Sequence, residues 1–342
     1  MTQSTPLALT MGEPAGIGGE ITLKAWLERN RCRVPAFFAI DDPDRLGRLA
    51  SRLGADVPIE TIAEPGAAIT VFPRALPVLA HPLARPVTPG QPDAANTKTV
   101  IAAIDRAVEL VQTHSAAAMV TNPIHKETLY EAGFSHPGHT EYLGDLTNAM
   151  MAPVMMLACP GLRVVPVTIH MPLRQAIASL STEAIIDCAV TTEAALRTDF
   201  GIKKPQLAVA AINPHGGEGG ALGLEEREII TPAVDSLKRR GITVYGPVPA
   251  DSLFHQSARD SYDAVICMHH DQALIPLKTI DFYGGANITL GLPLVRTSPD
   301  HGTALDIAGT GTAREDSLIA ALKMAASIAE HRAAANAQQS VA

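Results

Sequence analysis

The architecture of this chain follows from the stretch VVPVTIH at residues 164–170, a short apolar run that ends in a histidine. Two further apolar runs, at 207–212 and 264–268, are each followed closely by a histidine, His215 and His270 respectively. Such runs are typical of buried strands, and in an open α/β sheet ligands bind beyond the carboxyl ends of the strands. The three histidines are therefore predicted to lie at one edge of a sheet.

Three imidazoles that reach one sheet edge from separate strands can converge on a single metal ion. The candidate ligands are His170, His215 and His270. A three-histidine set that leaves coordination positions open is characteristic of a catalytic metal site rather than a structural one. The alternative is that each histidine is an ordinary loop residue whose ring is satisfied locally. Their shared placement favours the metal site.

The remaining sequence alternates between strand-like and helix-like segments. The predicted strands are 6–11, 36–40, 117–121, 154–158 and 164–169, and the predicted helices are 20–28, 97–113, 182–200, 224–240 and 316–330. This alternation predicts an α/β fold, with a hairpin turn at Pro160-Gly161. The Pro-, Gly- and Ala-rich residues 64–93 are expected to form a surface excursion, and residues 333–342 a frayed tail.

Length and composition restrict the classes of protein to which the chain can belong. Its 342 residues suit two domains, and a hydrophobic content of 46% is ordinary for a globular enzyme. The net charge of −8 disfavours broad contact with nucleic-acid phosphates. Four scattered cysteines suit a reducing compartment, and neither a signal peptide nor a membrane span is apparent. We expect a cytoplasmic protein that binds neither nucleic acid nor a membrane.

A glycine-rich turn, MGEPAGIGGE at residues 11–20, joins the first predicted strand to the first predicted helix. Its backbone N–H groups could approach an anion, or its glycines could serve tight packing alone, and the sequence favours neither. The turn is not the Rossmann fingerprint G-x-G-x-x-G, because Ile21 falls at the third glycine position when Gly16 is taken as the first.

Three polar segments contain further candidate site residues. Segment 133–141 has two histidines among turn residues, and segment 213–220 places four glycines around a histidine and a glutamate. In segment 268–272, MHHDQ, an extended backbone would direct the two histidines to opposite faces. Asp271 is placed to orient a ligand histidine.

Lys278, Asn287 and Arg296 follow in a region with few other charges. Isolated basic residues are usually solvated surface groups, but the apolar setting here favours a function. Lysine and arginine suit carboxylate and phosphate groups, and arginine binds them in bidentate fashion. These three residues are therefore candidates for binding an anionic substrate.

Five sequence blocks together resemble the 4-hydroxythreonine-4-phosphate dehydrogenase family of the pyridoxal phosphate pathway. They are GEPAGIG at 12–18, GHTE at 138–141, NPHGGE at 213–218, HDQ at 270–272 and NITLGLP at 287–293. Their number and order make the resemblance specific, and it covers nearly the whole chain. It implies a metal-dependent, NAD- or NADP-linked oxidation of 4-phosphohydroxy-L-threonine, with decarboxylation to 3-amino-2-oxopropyl phosphate.

The same resemblance implies roles for individual residues. One divalent ion (zinc, magnesium or cobalt) would be held by His170, His215 and His270. Substrate contacts are implied for His139, Thr140, Lys278, Asn287 and Arg296. Lys278 would act as a proton carrier or electrostatic partner, and Asp271 would be the second catalytic residue. The resemblance also implies a homodimer in which both subunits contribute to each active site.

A second resemblance concerns the segment HGTALDIAG at residues 301–309. It is similar to the adenosine-binding loop of isocitrate and isopropylmalate dehydrogenases, which implies cofactor contacts from His301, Gly302, Thr303, Ala304 and Asp306. Those enzymes share a two-domain α/β fold with the active-site cleft between the domains. This implies a first domain of residues 1–125 plus 281–342, which carries both termini, and a second domain of residues 126–280, which carries the metal histidines and dimer contacts.

Two departures from the family pattern keep alternative substrates open. Gly19 stands where the family usually has proline, and His269 where it more often has tyrosine. Both suit a sister dehydrogenase for threonate or erythronate 4-phosphate, or for an aromatic dihydrodiol carboxylate. A phosphate acyltransferase on the same scaffold would need neither the histidine triad nor the adenosine-type loop. A non-catalytic binding protein would be expected to lack one of the three histidines.

Overall fold

The computed structural model describes residues 5–131, 133–134, 136 and 138–339. Ser135 and Pro137 of the predicted 133–141 segment lie outside the described residues, as do residues 340–342 of the predicted tail. The chain divides into two compact units. The first comprises residues 1–151 with 292–330, and the second comprises residues 152–291 with 331–342.

Strands and helices alternate along the described residues. The strands are β1 (Leu7–Thr10), β2 (Phe37–Asp41), β3 (Ile59–Ile62), β4 (Leu76–Ala80), β5 (Met119–Thr121), β6 (Val154–Cys159), β7 (Leu162–Thr168), β8 (Gln206–Ala210), β9 (Thr243–Val248), β10 (Ala264–His269), β11 (Ala286–Leu290) and β12 (Arg296–Pro299). The helices are α1 (Gly18–Leu27), α2 (Pro43–Leu53), α3 (Ala68–Val71), α4 (Thr97–Gln112), α5 (Lys126–Glu131), α6 (His139–Leu146), α7 (Leu173–Ser179), α8 (Thr182–Thr198), α9 (Thr231–Arg239), α10 (Gln256–Arg259), α11 (His270–Ile280) and α12 (Asp316–Gln339). A π-helical turn, Glu226–Ile230, leads into α9. The predicted α/β class is confirmed.

The first unit is built on a parallel sheet with strand order β3-β4-β2-β1-β5-β12. β1 and β2 are buried along their whole length, as expected when helices cover both faces of a parallel sheet. Helix α4 contributes one face of the core, because Val100, Ile104 and Val108 recur at helical spacing and are all buried.

The second unit has a mixed sheet with strand order β11-β6-β7-β10-β8-β9. β11, β6 and β7 pair antiparallel, whereas β7, β10, β8 and β9 pair in parallel. The predicted hairpin at Pro160-Gly161 is confirmed, with Gly161 at a φ of +80°. The parallel pairing brings the carboxyl ends of β7, β10 and β8 to one edge of the sheet.

Two expectations about chain segments are wrong. Residues 64–93 are more than a surface excursion, because Leu76 and Val78 are fully buried in β4, a strand of the parallel sheet. The tail expected at 333–342 is helical as far as Gln339. Near its start the guanidinium of Arg332 donates two hydrogen bonds, of 2.7 and 2.8 Å, to the buried carboxylate of Asp199.

The predicted domains were residues 1–125 plus 281–342 and residues 126–280. The boundaries of the two compact units lie at other residues than these. The difference on the amino-terminal side has a packing reason. Leu129 and Leu143 belong to the same apolar core as the α4 side chains, so the segment that carries α5 and α6 stays with the first unit. Among the described residues, no helix is both long enough and apolar enough to cross a membrane.

Candidate active site

The ends of β7 and β10 form the centre of the candidate site in the second unit. The two strands pair in parallel with Thr168 opposite His269, and the Thr168 hydroxyl donates a 2.8 Å hydrogen bond to the carbonyl of Met268. This register brings together His170 and His270, which follow the two strands. Their ring centroids are 5.9 Å apart. Two of the three candidate metal ligands are thus neighbours.

Asp271 orients the ring of His270. Its Oδ1 lies 2.7 Å from Nδ1 of His270. The hydrogen bond from the ring lowers the pKa of the Asp271 carboxyl below its ordinary value of 3.8, so the group is ionised at neutral pH. With Nδ1 engaged in this way, Nε2 is the nitrogen that His270 presents to a ligand.

His269 has a different role from the one that an extended backbone would give it. Helix α11 begins at His270, so the two histidines do not alternate along a continued strand. His269 instead caps the helix, and its Nδ1 accepts a long, 3.4 Å hydrogen bond from the backbone N–H of Gln272. Burial lowers the pKa of the His269 ring, which favours the neutral form that accepts this bond.

A cavity of about 210 Å³ opens beside these strand ends. It is lined by residues from the end of β7, from α7 and from the start of α11. They are Thr168, Ile169, His170, Met171, Leu173, Ala176, His269, His270 and Asp271. At roughly 30 Å³ for each water molecule, the cavity has room for an ion and several small ligands.

Gln272 connects two strand ends, a role that the sequence did not reveal. Its Oε1 accepts a 2.7 Å hydrogen bond from the N–H of Met268 in β10. Its Nε2 donates a 2.6 Å bond to the carbonyl of Ala211, directly after β8. The amide therefore fixes the position from which the chain departs towards His215. Its only signal in the sequence is its place in the polar segment that follows a strand.

His215 lies on a turn with unusual backbone geometry. Six consecutive residues of the Pro214–Gly220 turn, 215 to 220, have positive φ, beginning with His215 at +54°. The His215 side chain is 71% exposed, and its Nδ1 is 4.0 Å from Oε1 of Glu218. Within the described ranges, no three His, Cys, Asp or Glu side chains are grouped closely enough to hold a metal ion. The structure brings His170 and His270 together, and His215 as third ligand stays a prediction.

The buried carboxylate of Glu226 anchors the start of this turn. Its Oε1 accepts hydrogen bonds from the N–H groups of Ile212 at 2.9 Å and Asn213 at 2.7 Å, and its Oε2 accepts one from the Asn213 amide at 2.9 Å. Gly217, with a φ of +79°, passes so close that a Cβ there would lie 2.7 Å from Oε2. The sequence did not reveal Glu226, because nothing distinguishes it from a solvent-facing glutamate of the predicted 224–240 helix.

The first unit contributes a second group of predicted residues, centred on Arg296 at the start of β12. Its Nε and Nη2 donate hydrogen bonds of 3.2 and 2.7 Å to the Thr121 hydroxyl. Burial lowers the pKa of the guanidinium to about 10, which leaves it cationic at neutral pH. A buried cation of this kind is suited to a carboxylate or phosphate group.

His139 opens helix α6, and Thr140 follows it on the same helix. Nε2 of His139 is buried and has no hydrogen-bond partner in the described part of the chain. Burial holds the pKa of the ring well below 6.5, and the positive charges of Arg296 and Lys126 lower it further. His139 is therefore a neutral imidazole with one nitrogen still to be satisfied, as expected of a ligand contact.

Lys278 and Asn287 belong to the second unit. Lys278 lies in the last turn of α11, with its ammonium 5.4 Å from the centroid of the Phe282 ring. Asn287 lies in β11, and its buried Oδ1 accepts no hydrogen bond from the described residues. An acceptor buried without a partner is costly, so a bound donor would stabilise it.

The predicted cofactor residues lie in a loop of the first unit that follows β12. Nδ1 of His301 is 3.0 Å from the carbonyl of Gly302, and a Cβ at Gly302 would meet open space. Ala304 has a φ of +43°, a strained value for a residue with a side chain. A 3-10 turn, Leu305–Ile307, carries the exposed Asp306.

The glycine-rich turn at 11–20 favours packing over anion binding. Several of its N–H groups are used within the protein: that of Glu13 donates to the carbonyl of Pro123, that of Ala15 to the Glu13 side chain, and that of Gly16 to the carbonyl of Glu13. The N–H of Ile17 donates a 3.0 Å bond to the carbonyl of Thr303 in the loop described above. The turn therefore supports that loop.

Comparison with known proteins gives consistent matches over nearly the whole chain. The family model described as pyridoxal phosphate biosynthetic protein PdxA matches residues 33–325. A protein of Caulobacter vibrioides named 4-hydroxythreonine-4-phosphate dehydrogenase is 52% identical over 334 residues, which are 96% of this chain and 99% of that protein.

Solved structures agree with this match. The crystal structure of 4-hydroxythreonine-4-phosphate dehydrogenase from Klebsiella pneumoniae superposes with a TM-score of 0.85 at 37% identity and covers 95% of this chain and 100% of that chain. A terephthalate 1,2-cis-dihydrodiol dehydrogenase from Burkholderia xenovorans superposes with a TM-score of 0.62 at 27% identity, over 94% of this chain and 98% of that chain.

Proposed function

Because this chain belongs to the family of the pyridoxal phosphate biosynthetic protein PdxA, we propose that it oxidises 4-phosphohydroxy-L-threonine with NAD or NADP. It is an oxidoreductase that acts on a CH–OH group. Hydride leaves the hydroxyl-bearing carbon for the nicotinamide, and the hydroxyl proton is released. The resulting ketone lies β to the carboxylate, so loss of carbon dioxide leaves an enolate, and uptake of one proton at its carbon gives 3-amino-2-oxopropyl phosphate.

One observation carries the chemical part of this proposal: the ring centroids of His170 and His270 lie 5.9 Å apart beside a cavity, with Asp271 bound to His270. Imidazole nitrogens are common ligands of divalent ions, so these two neighbouring histidines would supply part of a metal site. The proposed ligands are these two histidines and His215, which would hold zinc, magnesium or cobalt.

When bound, a divalent ion supplies Lewis-acid stabilisation of the oxygen at the reacting carbon. The residues of the chain fix the geometry around it. Asp271 keeps Nδ1 of His270 protonated and thereby keeps Nε2 available as a donor. Glu226 and Gln272 hold the chain just before the turn that carries His215. Lys278 is the proposed proton carrier or electrostatic partner.

Anionic groups of the substrate require cations and hydrogen-bond donors. The proposed contacts are His139, Thr140, Lys278, Asn287 and Arg296. The buried guanidinium of Arg296 supplies a fixed positive charge, and the unsatisfied polar atoms of His139 and Asn287 supply sites that a ligand would complete. The proposed nucleotide contacts are His301, Gly302, Thr303, Ala304 and Asp306.

An exposed apolar surface on the second unit supports a homodimer. Helices α7 and α11 and the chain after α11 expose large apolar side chains that soluble monomers usually bury. These are Leu173 (56% exposed), Ile177 (39%), Ile275 (64%), Ile280 (39%) and Phe282 (64%). We propose that a second copy of the chain covers this surface, since self-complementary contacts of this kind are common among enzymes. Sedimentation of the purified protein at the mass of a monomer would contradict this part of the proposal.

A second candidate substrate is an aromatic dihydrodiol carboxylate. The match to the Burkholderia xenovorans dihydrodiol dehydrogenase is the observation that favours it. Identity of 52% to the Caulobacter protein against 27% to the dihydrodiol enzyme favours the hydroxythreonine substrate. Threonate and erythronate 4-phosphates remain the third alternative, with the same metal and cofactor chemistry.

The proposal is tested by following nicotinamide reduction with each of these substrates, with and without a chelator. His270→Ala should lower turnover by more than about 100-fold and abolish retention of a divalent ion after dialysis. His255→Ala, at an exposed histidine of the same unit, is the matched control and should change neither. Full activity of His270→Ala in chelator would refute the metal site, and turnover of only another substrate would refute the substrate assignment.

A further inference from the structure

The loop that carries the proposed nucleotide contacts is tied at one end to the turn just before helix α1 and at the other end to helix α1 itself. At its beginning, the carbonyl of Thr303 accepts the N–H of Ile17, and a Cβ at Gly16 would lie only 2.9 Å from that carbonyl oxygen. At its end, residues 309–313 lie against a glutamate and a lysine of the same helix. The segment between these ties contains the proposed contacts Ala304 and Asp306.

Glu20 makes the tie at the far end. Its side chain is fully buried, and its carboxylate accepts three backbone N–H groups from the loop. Oε2 accepts those of Gly309 at 3.2 Å and Gly311 at 3.4 Å, and Oε1 accepts that of Ala313 at 3.0 Å. Every second N–H of this stretch is thus bound to one carboxylate.

Lys24, one helical turn further on, completes the arrangement. Its ammonium lies 3.0 Å from Oε1 of Glu20 and donates to the carbonyls of Gly311 at 2.7 Å and Ala313 at 2.5 Å. The ion pair therefore binds both the donors and the acceptors of the loop backbone. Gly309 and Gly311 have φ values of +69° and +82°, so this course of the chain favours glycine.

We propose that Glu20, with Lys24, is a positioning residue for nucleotide binding, and that it acts by fixing the 303–313 loop in its binding conformation before the nucleotide arrives. The inference rests on the proposed nicotinamide cofactor and its contacts at 301–306. A loop held in place beforehand loses less conformational entropy when a ligand binds, so its release weakens affinity without removing any direct contact.

The experiment compares the wild type with Glu20→Gln. A glutamine can keep only one acceptor oxygen, so its NH₂ group must face either the Gly309 and Gly311 N–H groups or the Ala313 N–H and Lys24 ammonium. We expect amide hydrogens of residues 309–313 to exchange at least about tenfold faster in the protein without nucleotide. We also expect the Kd for NAD or NADP to rise about tenfold, with kcat at saturating nucleotide little changed.

Two variants keep the test decisive. Glu28→Gln, at a half-buried glutamate just after α1 that pairs with Arg31, is the control and should change neither exchange nor affinity. Lys24→Met leaves the three N–H bonds of Glu20 in place and should give smaller changes of the same kind. The fluorescence of the single tryptophan, Trp26 in α1, reports whether each variant folds. If Glu20→Gln does not fold, Lys24→Met decides.

The outcomes separate this inference from the function on which it rests. If the wild type binds neither NAD nor NADP, the proposed cofactor is wrong, while the exchange measurement still reports on the tie itself. If the wild type binds nucleotide, but folded Glu20→Gln or Lys24→Met variants retain its affinity and the slow exchange of 309–313, the positioning role is refuted. A fall in kcat at saturating nucleotide with unchanged Kd would also overturn it.

Discussion

The anchoring of the His215 turn by Glu226 gives a prediction whose magnitude can be worked from the structure. The carboxylate accepts three hydrogen bonds, from the N–H groups of Ile212 and Asn213 and from the Asn213 amide. Each bond to a charged acceptor contributes about 1.5–3 kcal/mol, and a buried donor left without a partner loses most of that amount. All three bonds are only partly buried, so the lower end of this range applies, and Glu226→Ala should destabilise the turn by about 4 kcal/mol.

Glu226→Gln should have a smaller effect. If the amide oxygen takes the place of Oε1, the bonds from the Ile212 and Asn213 N–H groups remain. The amide nitrogen then faces the donor side chain of Asn213, so one hydrogen bond to a charged acceptor is lost. The turn should be destabilised by about 2 kcal/mol. A difference of 2 kcal/mol corresponds to about a 30-fold change in an equilibrium constant.

The assay is native-state hydrogen exchange at residues 211–213, together with urea unfolding of the whole protein. Exchange should accelerate about 30-fold in the Gln variant and more in the Ala variant, because the turn opens locally before the unit unfolds. Glu228→Gln, at an exposed glutamate two residues further on, is the matched control. The anchoring role would be refuted if Glu226→Ala exchanged these amide hydrogens at the wild-type rate and had unchanged stability in urea.

Two further predictions concern buried titratable groups of the first unit. The folded protein binds a proton at His139 more weakly than the unfolded chain, so stability from this site is present above pH 6.5 and is lost as the pH falls below it. When the pH falls from 7 to 5.5, the unfolding free energy of the wild type should decrease by up to about 1.4 kcal/mol more than that of His139→Gln. Equal decreases in the two proteins would contradict this prediction. Arg45 donates hydrogen bonds of 3.0 and 2.8 Å to the carboxylate of Asp41, and both side chains are buried. Asp41→Asn should lower the unfolding free energy measured in urea by about 3 kcal/mol, because the buried guanidinium loses its charged partner. Glu60→Gln, which breaks the exposed pair with Arg74, is the comparison and should cost less than about 1 kcal/mol.

The elements that could be predicted from the sequence are those with short-range signals. Helix α4 follows from the spacing of Val100, Ile104 and Val108, and the β6–β7 hairpin from the Pro160-Gly161 turn between two apolar runs. Strand β4 was missed because proline and alanine residues around it resemble a loop. Its burial comes from pairing with β2 and β3, which lie elsewhere in the sequence.

The same distinction applies to the candidate site. His170 and His270 could be predicted as neighbours, because each ends an apolar run and parallel strands end at one sheet edge. The sequence alone did not predict that α11 begins at His270, a difference that makes His269 a helix cap. Local propensity is too weak to place a helix boundary to the residue.

What the sequence by itself determined is the α/β class, the strand-end placement of the histidines and the family resemblance, all of which depend on patterns within short segments. The tertiary structure alone decided which buried carboxylates hold which loops. Glu20 and Glu226 resemble any helical glutamate in sequence, yet each accepts three hydrogen bonds from a distant or turning segment. The physical reason is that a buried charge is stable only where donors from other parts of the chain converge on it, and that convergence exists only after folding.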